Sequence, residues 1–255
     1  MAESTQIAAQ LYTVRDFCQT AKDFEQSLRK LKKIGYDVVQ ISGIGPIPYS
    51  EIKRILDDTG MACCATHIPY ERMVKETEQV IEDHYLIQCK YPAIGGLPGE
   101  YRSAEGYVRF AREATEVGKK LAKGGLHFAY HNHSFELERY GKRTGLQILY
   151  EESDPNYFKA EIDTYWIQHG GGDPAAWIEK LSGRIPLVHL KDMTIRDGKQ
   201  IMAEVGEGNL NWSRIIQACR KAGVEWYIVE QDTCERDPFE SLAISLQNLK
   251  AMGVV

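Results

Sequence analysis

Four of the seven histidines, His67, His131, His133 and His189, close short β-rich runs, and the carboxylates Asp163 and Glu230 close two others. Glu136 follows His131 by five positions. Imidazoles mixed with carboxylates suit Mn, Mg, Co or Zn and differ from the cysteine-rich sets of structural zinc. One divalent ion held by Glu136 or His131 together with Asp163, His189 and Glu230 would take its ligands from separate strands. Positions would stay open for a substrate, as a catalytic metal requires. A plainer account also exists: an unpaired buried carboxylate is costly, and Lys191, Arg184 or Arg196 could supply the neutralising cation.

The elements that must position these residues alternate along the whole chain. Strands are predicted at Gln6–Tyr12, Asp37–Ser42, Met61–His67, Tyr91–Gly95, Leu126–His131, Phe158–Asp163, Ile185–Lys191 and Trp226–Glu230. Their starts lie 31, 24, 30, 35, 32, 27 and 41 residues apart, room in each interval for a strand, a helix and two short loops. The segment Asp23–Ile34 sets Phe24, Leu28, Leu31 and Ile34 on one helical face, with Gly35 as its stop. Helices are likewise predicted at Tyr49–Thr59, Arg72–Gln88, Ser103–Lys123, Thr144–Glu152, Pro174–Leu181, Trp212–Ala222 and Pro238–Met252. Ser103 and Asp173 suit N-caps; Gly60 and Gly223 suit terminators.

Eight strands alternating with eight helices, without linker or low-complexity tract, predict an α/β fold: a single (β/α)8 TIM barrel over residues 1–255. The rival, a doubly wound sheet, would carry a glycine-rich phosphate turn after its first strand, where this chain has Gln10-Leu11-Tyr12-Thr13. Barrel chemistry sits at the C-terminal strand ends. Those ends hold Gln10, Tyr12, Gln40, His67, His131, Asn132, His133, Asp163, His189, Lys191 and Glu230.

Composition narrows the partners. With 43% hydrophobic and 26% charged residues the chain can bury a large core, and a net charge of −5 gives no footprint for nucleic acid or an anionic membrane. No apolar run reaches the roughly 18–20 residues that span a bilayer, and the first residues do not read as a secretory signal. Six cysteines without a Cys-x-x-Cys pair read as free thiols of a cytoplasmic protein, with Cys63 and Cys64 facing opposite sides of a strand. A small molecule is the expected partner; a homo-oligomer stays open.

Several segments carry a family likeness: Gln10-Leu11-Tyr12-Thr13-Val14-Arg15, Thr66-His67, Tyr130-His131-Asn132-His133, Glu161-Ile162-Asp163, Val188-His189-Leu190-Lys191-Asp192, Gly206-Glu207-Gly208-Asn209-Leu210-Asn211-Trp212 and Val229-Glu230. Over nearly its whole length the chain resembles the xylose isomerase-like superfamily of sugar isomerases and epimerases. The resemblance implies a divalent metal bound by Glu, Asp, His and Glu from strands five to eight. Asp163, His189 and Glu230 match the last three. At the tip of strand five, where many members have Glu, this chain has His131; Glu136 is the expected ligand there and His131 the alternative. The departure also resembles a branch with inosose dehydratases or enzymes of 3-oxo sugars.

The implied chemistry removes a proton from a carbon beside a carbonyl, with a metal-stabilised enediolate as the product of that step. Glu230 is the expected base, with His131 or Glu136 as partner. His67, His133, Lys191 and Gln10 are expected to bind hydroxyls or developing charge. Trp166 and Trp212 read equally as sugar-stacking walls or as core, and Glu207 as a substrate contact or a solvated loop carboxylate. The expected activity is a sugar isomerase or epimerase. The same abstraction gives a lyase or dehydratase if a leaving group sits β to the carbonyl, on a keto-inositol or a 3-oxo-glycoside. A non-catalytic sugar binder is a further alternative. Apurinic-site endonucleases share the resemblance, but this acidic chain lacks the basic stripe that a polyanion requires.

Overall fold

The computed structural model describes residues 6–254. Eight strands form a closed parallel barrel: β1 (Ile7–Gln10), β2 (Val38–Ile41), β3 (Ala62–His67), β4 (Tyr91–Ile94), β5 (Ala129–His131), β6 (Lys159–Asp163), β7 (Leu187–Leu190) and β8 (Trp226–Val229). Each pairs with the next in sequence, and β8 returns to β1. The single TIM barrel is therefore the fold.

Side chains alternate across a strand, so residues two apart share a face. Ala8, Val38, Cys64, Ala65, Tyr91, Ala93, Ala129, Leu187 and Ile228 form the apolar lower filling of the barrel. Two residues further along their strands, the same inward face carries Gln10, Gln40, His67, His131, His189 and Glu230, and Glu161 of β6 pairs with His131 at that level. The polar mouth is thus a consequence of register, fixed by pairs such as Gln10 with Gln40, His131 with Glu161 and Asp163 with His189. Cys63 joins the outer apolar layer while Cys64 joins the inner one.

Among the described residues ten α-helices surround the barrel: α1 (Ala21–Ile34), α2 (Tyr49–Thr59), α3 (Tyr70–Lys75), α4 (Thr77–Leu86), α5 (Ala104–Lys123), α6 (Gly145–Glu152), α7 (Thr164–His169), α8 (Pro174–Lys180), α9 (Trp212–Ala222) and α10 (Pro238–Ala251). On α1, Phe24, Leu28 and Leu31 are fully buried in one apolar layer with Ile7, Ala9 and Val39 of the strands. Each such side chain contributes about 1.5–3 kcal/mol. Ser103 and Asp173 cap α5 and α8 as predicted, and Gly60 and Gly223 end α2 and α9 in left-handed geometry.

Two predictions need correction. The helix expected over Arg72–Gln88 is two helices, α3 and α4, because Glu76 leaves helical geometry (φ −127°, ψ 38°) where the Thr77 hydroxyl donates back to the Met73 carbonyl. The loop after β7 contains an unforeseen antiparallel hairpin, Asp192–Arg196 against Lys199–Ala203. Its turn is Asp197-Gly198, both at positive φ (50° and 74°), the geometry of a two-residue hairpin loop.

Candidate metal centre

His131, Asp163, His189 and Glu230 converge at the C-terminal mouth, with one donor atom from each lying within 4.8 Å of the others. None is more than 4% exposed. His131 Nε2 is 3.2 Å from Asp163 Oδ2, and His189 Nδ1 is 2.8 Å from Glu230 Oε2. The strand ends aim these groups, and local bonds hold them. Asp163 caps α7 through Oδ1, which accepts from the Trp166 N–H at 2.9 Å, while the Asn132 side-chain oxygen accepts from the Asp163 N–H. Oδ2 is left to face His131 and Lys191.

A second layer lies directly beneath. Glu161, two residues before Asp163 on the same inward face, accepts from Gln40 Nε2 at 2.6 Å. Its carboxylate also meets His67 Nε2 at 2.7 Å and His189 Nε2 at 3.1 Å. Gln40 Oε1 lies 2.6 Å from the same His189 nitrogen. His189 Nε2 therefore carries its proton toward Gln40 and Glu161, and Nδ1 is the nitrogen turned to Asp163 and Glu230. This supporting role for Glu161 was missed in the sequence, although its period-two spacing from Asp163 was visible there.

Electrostatics follow the packing. Burial opposes charge on His189, yet Glu161 and Glu230 on either side raise its pKa to about 10. Burial would raise the Glu230 carboxyl, but Lys191 and His189 beside it hold it well below the usual carboxylate range. Lys191 is fully buried, with Nζ 2.9 Å from Asp163, 2.8 Å from Glu230 and 3.2 Å from Asp232. Of the three cations considered from the sequence, this is the one at the site. Arg184 instead bonds the Phe158 and Tyr150 carbonyls, and Arg196 pairs with Glu235 at the surface.

Two imidazoles and two carboxylates suit a divalent ion. The fit shows in His189, whose Nδ1 must hold a proton to meet Glu230 and would, without it, present a lone pair to the same point. His131 would be the ligand contributed by β5. Glu136 stands elsewhere, contrary to expectation: its carboxylate accepts from Tyr130 Oη at 2.7 Å and from the His133 N–H at 2.9 Å. Tyr130 belongs to the outer apolar layer, opposite the inward His131, so the short turn Phe135–Leu137 returns Glu136 to the back of β5.

A cavity of about 530 Å³ opens above the four residues, lined by Tyr12, Ser42, His67, His133, Trp166 and Asp232 among others. His133 Nδ1 and Trp166 Nε1 are buried without a hydrogen-bond partner among the described residues. Burial pushes the His133 imidazole down to about 3, so it is neutral at physiological pH. Gln10 does not reach this cavity; its amide donates to Gln40 at 2.7 Å under the mouth. Lys191 bridges carboxylates at the floor.

Trp212 is structural, donating its indole N–H to Asp192 Oδ2 at 2.5 Å. Asp192 also accepts from the N–H groups of Met193, Gly206, Gly208 and Leu210, which fastens the hairpin loop to the mouth. Glu207 is a surface carboxylate paired with Arg236. No described helix is long and apolar enough to cross a membrane.

Fold and site together define a (β/α)8 barrel with a histidine–carboxylate cluster at its C-terminal mouth. The chain belongs to the xylose isomerase-like TIM barrel family, whose sequence model matches residues 28–252. It is 28% identical to an inosose dehydratase of Geobacillus thermodenitrificans over 49% of this chain and 48% of that one. With an inosose dehydratase of Mesomycoplasma hyopneumoniae it shares 24% identity, covering 91% of this chain and 81% of the relative. A sugar phosphate isomerase/epimerase from Parabacteroides distasonis superposes with a TM-score of 0.82 at 24% identity, covering 100% of this chain and 96% of that one. At that identity the likeness speaks for the fold alone. Both inosose dehydratases are enzymes by name.

Proposed function

We propose that the chain is a divalent-metal-dependent sugar isomerase or epimerase that removes a proton from a carbon beside a carbonyl. The convergence of His131, Asp163, His189 and Glu230 around one point carries this reading. An ion held there would supply Lewis acidity at the carbonyl oxygen and so acidify the neighbouring C–H. Glu230, kept ionised by Lys191 and His189, is the base that accepts the proton. Lys191 holds that carboxylate in place through Oε2. The orphaned ring nitrogens of His133 and Trp166 bind substrate hydroxyls, and His67 lines the opposite wall. His131, expected as the partner that returns a proton, turns Nε2 to Asp163 and Nδ1 to the Gly95 carbonyl, so as a ligand it has no ring nitrogen left for that role.

A dehydratase or lyase is the second reading, favoured by the likeness to inosose dehydratases over most of the chain. The same Glu230 step serves both. The test is deuterium exchange from D2O into a 3-oxo sugar, followed by NMR on metal-loaded protein. Exchange is expected in the wild type and absent in Glu230→Gln; a labelled epimer identifies the first reading and an elimination product the second. Exchange that survives Glu230→Gln unchanged, or a protein that binds no divalent ion, would end the proposal.

A further inference from the structure

A second and larger cavity, about 800 Å³, adjoins the first on the β3–β4 side of the mouth. His67 and Gly95 line both, so the two meet at that ridge. We propose that this cavity receives an uncharged apolar substituent carried by the substrate, such as an aromatic aglycone, while the carbonyl-bearing ring occupies the inner cavity. The inference rests on the proton-abstraction reading and extends it to the substrate class.

Size comes first. The inner cavity alone is already of the order of a small-ligand site, about 300–1,000 Å³, and a single sugar ring leaves the outer one unfilled.

The lining gives the chemistry. Ile68, Tyr70, Val74, Leu97, Pro98 and Tyr101 present apolar and aromatic surface. Tyr70 and Tyr101 both pack on Phe110, at 4.9 and 5.1 Å between ring centroids, and so form one continuous aromatic wall. Val74 is 43% exposed, one of few large hydrophobic residues so placed.

Charge argues against a phosphate. The charged lining residues, His67 aside, are Glu71 and Glu100, with no Lys or Arg among them. The nearby arginines do not line the cavity and are held by other partners, Arg109 also donating to the Glu100 carbonyl and Arg102 to the Leu97 carbonyl. Arg72 pairs with Asp83 and Glu76, Arg102 stacks on Phe135, and Arg109 stacks on Tyr101. An anionic group would meet the Glu100 carboxylate and a Glu71 carboxylate that already holds Lys75, with no cation of the lining free to receive it.

The ridge between the cavities is kept thin by glycine. A Cβ on Gly95 would stand 3.1 Å from His67 Nδ1, and one on Gly96 would stand 3.2 Å from His133 Cε1. Side chains there would crowd the imidazoles at the point where a substituent must pass.

The test is calorimetric binding of methyl 3-oxo-β-D-glucopyranoside and its 4-nitrophenyl counterpart to metal-loaded protein. The aryl compound should bind about tenfold tighter, in keeping with burial of an aromatic ring against apolar walls. Val74→Asp, on an exposed position outside the catalytic machinery, should bring the two to parity while leaving methyl binding unchanged. Equal wild-type affinities, absent binding of the aryl compound, or an aryl preference that survives Val74→Asp would each overturn the proposal. So would tighter binding of a glucosyl or a phosphorylated derivative than of the aryl one. Repeating the measurements in D2O separates the two ideas: an aryl preference lost in Val74→Asp without exchange into either probe defeats the proton-abstraction reading, while exchange into both probes without an aryl preference defeats this one.

Discussion

Replacing Glu161 by Gln probes the buried layer that orients the candidate metal centre. The native carboxylate accepts from Gln40 Nε2 at 2.6 Å and meets His67 Nε2 at 2.7 Å and His189 Nε2 at 3.1 Å. A glutamine keeps one acceptor oxygen and places an N–H₂ where the other stood, so either Gln40 and His189 lose their acceptor or His67 must move its proton to Nδ1 and accept the new N–H on Nε2. It also removes the charge that makes His189 a strong base. Loss of such an outer-shell partner costs about 10–100-fold in metal affinity, or about 1.4–2.7 kcal/mol. The measurement is calorimetric titration of Mn²⁺ into chelator-treated wild type and variant at neutral pH. Glu136→Gln serves as comparator, since Glu136 lies behind β5 on Tyr130, and its affinity should stay within about twofold of wild type. A Glu161→Gln protein that binds Mn²⁺ like the wild type, or a larger loss in Glu136→Gln, would refute the arrangement.

Other expectations are tied to single features. Asp192→Ala strips the acceptor from four main-chain N–H groups and the Trp212 indole. At about 1–3 kcal/mol per unsatisfied donor, with part of the loop rehydrating, urea unfolding should show a loss of about 3–5 kcal/mol; a loss under about 1 kcal/mol would contradict the cradle. Gly208→Ala sets a Cβ 2.3 Å from Asp192 Oδ1 and should destabilise by about 1–3 kcal/mol, measured the same way. His84 is buried and neutral, with Nδ1 2.7 Å from the Val80 carbonyl and Nε2 2.8 Å from the Thr66 hydroxyl. Burial lowers its pKa from 6.5 to about 4, so the unfolded chain binds the proton more readily. Its contribution is complete above pH 6.5 and is lost as pH falls toward 4, a change on the order of 3 kcal/mol. A pH series of urea unfolding should show that slope, and His84→Gln should lessen it, the buried His133 still contributing over the same range.

Chain alternation and the residues at strand ends were enough to read the barrel, its mouth and three of the four converging side chains, because period-two registry fixes what an inward position must be. Asp163, His189 and Glu230 followed from that alone. The Asp197-Gly198 pair was a hairpin signal available in the sequence and passed over, and the spacing of Glu161 from Asp163 likewise placed it on the inner face. Tertiary structure decided what spacing could not. Whether His131 or Glu136 stands at the centre depends on which side of β5 a short turn returns to, and Tyr130 Oη holds Glu136 on the outer side. The fate of Trp212 depended on a carboxylate twenty residues earlier in the chain, and that of Gln10 on a neighbour thirty residues later. Local sequence sets the face on which a side chain emerges; only packing between distant segments sets what it meets there.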